Sequence, residues 1–189
     1  MDELIESATK LMRDGKRARL EERPDDARRD FAVAVDLCRQ SGARRELIQA
    51  LKGLGQVERD QGRGAAALGL YEEAVVICRA EGDRLMLAHT VRHVGDIHRE
   101  AGRAELAEPC YREALEIYRR NARTEALDLA NAIRPLALLK DDAGEVEEAI
   151  RLWAEARDLY AAAEVEAGVS ESSRRVDRLA AGTTTNTKS

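Results

Sequence analysis

Apolar residues recur at helical spacing along most of this chain, and glycines interrupt them at regular intervals. Leu47, Leu51, Leu54 and Val57 lie three to four apart, Gly62 and Gly64 break the run, and Leu68, Tyr71, Val75 and Cys78 resume it as far as Gly82. This spacing predicts two amphipathic helices joined by a tight turn. A second pair carries Val91, Val94 and Ile97, then Gly102, then Ala107, Tyr111, Ala114, Leu115 and Tyr118. A third starts near Glu125, turns at Gly144 and returns through Ile150, Trp153 and Leu159. Ahead of these, Leu4, Ala8, Leu11 and Gly15 predict a first helix. Pro24 suits the opening position of its partner, with Asp25 and Asp26 in the favourable first turn and Phe31, Ala34 and Leu37 following. Val169, Val176 and Leu179 predict a capping helix over 166–181, and 182–189 is expected to be disordered. Pro109 and Pro135 fall inside predicted helices and each removes a backbone hydrogen bond, so local kinks are expected there.

The pairs are copies of one another. Phe31, Tyr71, Tyr111 and Trp153 form one column, and Cys38, Cys78, Tyr118 and Tyr160 form a second. Ala34, Ala74, Ala114 and Ala156 form a third, and Gly15, Gly55, Gly95 and Ala137 a fourth. A fixed period of this length marks a stacked-repeat protein. The fold class is therefore all-α, an αα-solenoid of four helix pairs (3–42, 43–82, 83–123 and 124–164) plus the capping helix, in one domain over 1–181. Glycine inside a helix costs roughly 1 kcal/mol against alanine, so the fourth column predicts close approach of a neighbouring helix.

Composition narrows the function. Charged residues make up 35% of the chain and the net charge is −5, a poor basis for nucleic-acid binding. Charges interrupt every apolar window, so neither a membrane span nor a secretory signal is expected. Cys38, Cys78 and Cys110 show no metal spacing and read as small fillers of a reduced, cytoplasmic protein. The preference for arginine over lysine suggests a GC-rich bacterial source. No phosphate loop, G-x-S-x-G elbow or HExxH motif is present, so no enzyme and no cofactor is expected.

The columns resemble the tetratricopeptide repeat. Its pattern of a small residue, a second small residue, an aromatic and an alanine is met by Gly15, Ala27, Phe31, Ala34 in the first unit and Gly55, Ala67, Tyr71, Ala74 in the second. Gly95, Ala107, Tyr111, Ala114 and Ala137, Ala149, Trp153, Ala156 continue it. The 40–42-residue period is similar to the long-repeat subgroup that includes kinesin light chain and the spindle-orientation adaptors. The resemblance implies a right-handed superhelix whose first helices line a concave groove for another protein's peptide or helix. It implies groove positions at Gln49, His89 and Asn131; at Lys52, Arg92 and Arg134; at Gln56, Asp96 and Leu138; and at Arg19, Arg59 and Arg99. Where peptide-binding members often carry asparagine, this chain has Gly53, His93 and Pro135.

The cationic rows admit two readings. They hold a partner's acidic side chains or carboxylate, or they form a solvated face with internal pairs such as Arg92 with Asp96. His89, His93 and Asp96 share one helical turn and form a candidate metal triad, which would make the domain a sensor for a metal or small ligand. Self-association into a homodimer through the solenoid ends or the convex face is a further expectation.

Overall fold

The computed structural model describes residues 2–186, with side chains as far as residue 182. Among the described residues there are nine helices and no strand: α1 Asp2–Leu20, α2 Pro24–Ser41, α3 Arg44–Asp60, α4 Gly64–Glu81, α5 Arg84–Glu100, α6 Ala104–Arg120, α7 Ala126–Asp142, α8 Val146–Ala162 and α9 Glu166–Asn186. The repeats predict one domain over 1–181, and the chain divides into two compact units, Met1–Ile97 and His98–Ser189. In the first, α1 packs on α2, α2 on α3, α3 on α4, and α1 on α3. In the second, α6 packs on α7, α7 on α8, and α8 on α9. This consecutive packing is that of an αα-solenoid.

The repeat columns are the packing. Ala34, Ala74, Ala114 and Ala156 have no exposed surface, nor have Ala27, Ala67, Ala107 and Ala149. Trp153 and Tyr111 are fully buried and Tyr71 nearly so. Burying an aromatic side chain of this size stabilises by roughly 1.5–3 kcal/mol. The fourth column has a more specific reason than helix approach alone. A Cβ added at Gly55 would lie 2.8 Å from the Tyr71 ring, and one at Gly15 would lie 3.0 Å from the Phe31 ring. Each glycine therefore makes room for the aromatic of its own partner helix. The ring also reaches forward to the next first helix. Phe31 lies on Gly53, where a Cβ would overlap it. Tyr71 stacks on His93 with centroids 5.2 Å apart, and the Arg175 guanidinium lies 5.5 Å from the Trp153 ring centre.

Turn chemistry sets the helix ends. Gly42, Gly62, Gly82, Gly102 and Gly144 all adopt the left-handed conformation, with φ between 70° and 74°. Glu22 and Glu164 adopt it as well, at φ 56°, with the strain a side chain brings there. The α6–α7 turn has no such residue. It closes through Thr124 Oγ1, which donates to the Tyr118 carbonyl, and Asn121 Oδ1, which accepts from the Arg123 amide. This longer turn accommodates the step from 40 to 42 residues. Pro109 and Pro135 lie within unbroken helices. Of the tail expected to be disordered at 182–189, residues as far as Asn186 continue α9, and 187–189 lie outside the described residues.

Candidate functional site

In the first unit α1, α3 and α5 turn one face to a cavity of about 440 Å³. Met12, Lys16 and Arg19 come from α1, and Gln49, Lys52, Gly53 and Gln56 from α3. His89 and His93 come from α5, while Phe31 and Tyr71 reach in from α2 and α4. Helical spacing explains the selection, because residues three, four and seven apart share one face.

The cations of this wall differ in their partners. Arg19 binds Asp60 at 2.5 Å, and Gln56 donates to Asp60 at 2.7 Å. Arg59 and Arg92 both donate to the buried Asp96 carboxylate, at 3.4 and 3.2 Å. His93 sits between them, with Nδ1 3.4 Å from Asp96 and Nε2 3.1 Å from Arg92. A neutral ring with the proton on Nδ1 donates to Asp96 and accepts from Arg92 at Nε2; Arg59, also 3.4 Å from Nδ1, then directs its donor to Asp96. Burial pushes the Asp96 carboxyl up, but the His93 hydrogen bond and the Arg92 and Arg59 charges outweigh it and hold it below the usual carboxylate range. Burial lowers the His93 imidazole, against the opposing pull of Asp96. Burial, with Lys52, His93 and Arg92 nearby, lowers His89 to about 3. Both histidines are therefore uncharged at neutral pH.

Lys52 differs from these three arginines. Its ammonium donates to the Met86 sulfur at 3.1 Å and meets no carboxylate among the described residues. Gln49 contacts the same sulfur at 3.7 Å. Burial lowers the Lys52 ammonium to about 8.

The other expected groove residues belong to the second unit. Arg134 makes a bidentate pair with Glu171 of α9, at 2.8 and 2.9 Å, and Asn131 accepts from the Tyr160 hydroxyl at 3.0 Å. Leu138 is half-buried. Arg99 lines a separate cavity of about 310 Å³ with Glu105, Glu108 and Lys140. The metal triad does not assemble as a ligand set. The His93 nitrogens and the Asp96 carboxylate face arginines, and no group of three His, Cys, Asp or Glu residues among those described could hold a metal. Lys16 and Met12 are cavity residues that column reasoning left out, although Lys16 shares the column of Gln56 and Met12 that of Lys52. No helix among the described residues is long and apolar enough to cross a membrane.

Comparison with known proteins agrees with this architecture. The tetratricopeptide repeat family matches residues 46–120 and 83–162. No curated protein matches the chain. Among solved structures, the apo form of RapI is similar at 13% identity and a TM-score of 0.78, over 85% of this chain and 58% of that one. This chain thus spans little more than half the length of RapI. BtubC (BKLC) from P. vanneervenii is similar at 18% identity and a TM-score of 0.56, over 96% of this chain and 92% of that one. The TPR domain of Arabidopsis FLU is similar at 20% identity and a TM-score of 0.58, over 61% of this chain and 98% of that one. At these identities the likeness is one of fold.

Proposed function

We propose that this chain, which belongs to the tetratricopeptide repeat family, is a non-catalytic scaffold that captures an acidic peptide or helix of another protein in the cavity of its first unit. The family's fold is a general protein-interaction scaffold. The observation that carries the finer reading is Lys52, a half-buried cation at a concave wall whose only polar partner among the described residues is a sulfur. A shielded cation without a counter-charge gains more from an incoming carboxylate than an exposed one does. The chain contains a parallel. Arg134 occupies the same repeat column, and there α9 delivers the carboxylate of Glu171. A partner would deliver to Lys52 what α9 delivers to Arg134.

Arg59 and Arg92 then serve as wall, since Asp96 and His93 engage them. A labelled peptide with glutamates at four-residue spacing tests the reading. Binding is expected, with weakening as salt rises, loss in Lys52→Glu and retention in Lys10→Glu, which lies outside the cavity. Equal binding by Lys52→Glu would remove the cavity from the function. Exposed Val33 and Val76 on α2 and α4 favour self-association as the second reading. A mass that rises with concentration without any ligand, together with no peptide binding, would put it first.

A further inference from the structure

Among the described residues two lysines are shielded from solvent, and their surroundings are opposite. Lys140 lies 2.8 Å from Glu108, 2.9 Å from Glu145 and 4.0 Å from Glu148. Lys52 faces the first unit's cavity, and the Met86 sulfur is the one hydrogen-bond partner of its ammonium among the described residues. Around it stand His89 and Arg92 on α5, the Cys78 thiol on α4 and Asp83 on the turn between them. Lys16 lines the same cavity from α1, beside the Arg19–Asp60 pair.

We propose that Lys52 is an acylation site, and that its donor is a small anionic acyl compound of the acyl phosphate class, drawn in by Lys16. The inference goes beyond the partner reading and does not depend on it. The free amine attacks the acyl carbon and a C–N bond forms. The C–O bond to phosphate breaks, phosphate leaves with the electron pair, and the amine proton passes to solvent. A cavity of about 440 Å³ has room for such a donor beside the side chain. The uncharged amine is the nucleophile, and the two lysines differ in how readily they supply it. Burial brings Lys52 to about 8, helped by the Arg92 charge and opposed by Cys78 and Asp83. Burial also disfavours the Lys140 charge, but hydrogen bonds to Glu108 and Glu145 outweigh it and raise that ammonium above its ordinary range.

The experiment uses the full chain, acetyl phosphate and peptide mass spectrometry from pH 7 to pH 11. At pH 7.5 Lys52 is expected to acetylate about five-fold faster than Lys10 or more, with Lys140 slowest. The Lys52 rate should level off above about pH 8, whereas the Lys10 rate should still climb past pH 10. Equal rates at pH 7.5, or a Lys52 profile that follows Lys10, overturns the site. The donor class has its own arm. Lys16→Gln changes an exposed side chain, and it should slow acetyl phosphate but not the neutral ester p-nitrophenyl acetate. The same response to both donors overturns the anionic class.

Discussion

The ends of α3 and α7 occupy the same repeat columns with opposite charges. In the first unit Glu58 is buried and accepts from Arg28 at 2.7 Å and from Arg63 of the following turn. In the second unit Lys140 is buried in the same column and meets Glu108 and Glu145, the column equivalents of Arg28 and Arg63. The next residue repeats the inversion. Arg59 donates to Asp96 on α5, whereas Asp141 accepts from Arg175 and Arg178 on α9. At these two helix ends the stacking contact pairs opposite charges at fixed columns, with the signs exchanged between α3 and α7. Exchanging α3 for α7 would set like charges against each other at every one of these positions, so polarity distinguishes helices that the apolar columns make alike.

The strongest way to break this comparison is to reverse one site. Lys140→Glu places a carboxylate among Glu108, Glu145 and Glu148 and should cost about 3 kcal/mol in a urea melt. Adding Glu108→Arg and Glu145→Arg recreates the polarity of the first unit and should restore most of the loss. A triple variant as weak as the single one would show that the two sites are not interchangeable.

The ring contacts sharpen the contrast at a smaller scale. Phe31 covers Gly53 in the first unit, and Trp153 lies beneath Arg175 in the second. Gly53→Ala forces the Phe31 ring to move and should cost about 1–3 kcal/mol by thermal melt. Arg175→Ala removes a cation–π contact and one bond to Asp141, and should cost about 1 kcal/mol. Gly69, whose added Cβ would meet nothing within 4 Å, is the control. Gly69→Ala should stabilise by about 0.5–1 kcal/mol.

Mild acid should separate the units by the smallest margin. His89 and His93 have lowered folded pKa values, His89 at about 3, against 6.5 for the ordinary imidazole. Below pH 6.5 the unfolded chain takes up protons that the folded one refuses, so stability falls as pH drops from there toward 3. The second unit has Asn131 and Pro135 in those columns. Its Glu108 and Glu171, held low chiefly by hydrogen bonds from Lys140 and Arg134, lose their contribution only as pH falls through and below their ordinary 4.5. Amide exchange in α3 and α5 should therefore quicken relative to α7 between pH 6.5 and 5. Equal change in both units would remove the histidines from the account.

The helices, their turns and the buried columns were legible in the sequence, because each rests on local spacing or on a residue type repeated four times. The site was legible only in outline. Lys52, Gln49, Gln56, Arg19 and His89 do share one cavity, but Arg134 from the same cationic row is closed off by Glu171, which reading the repeats did not single out. The reach of α9 was also missed, since the polar run from Gly182 to Asn186 offers no apolar stripe to mark a helix.

By itself the sequence determined the period, the all-helical elements and the residues that must be buried. Those properties follow from contacts within a helix or between a helix and its immediate partner. Tertiary structure decided which charges are neutralised. Arg59 and Asp96 stand 37 residues apart, as do Arg134 and Glu171, and no local rule relates them. A charged side chain has the same propensity on a helix whether its counter-charge is present or missing across the gap. The distinction between an engaged arginine and Lys52, which meets no counter-charge among the described residues, therefore appears only when the helices are stacked.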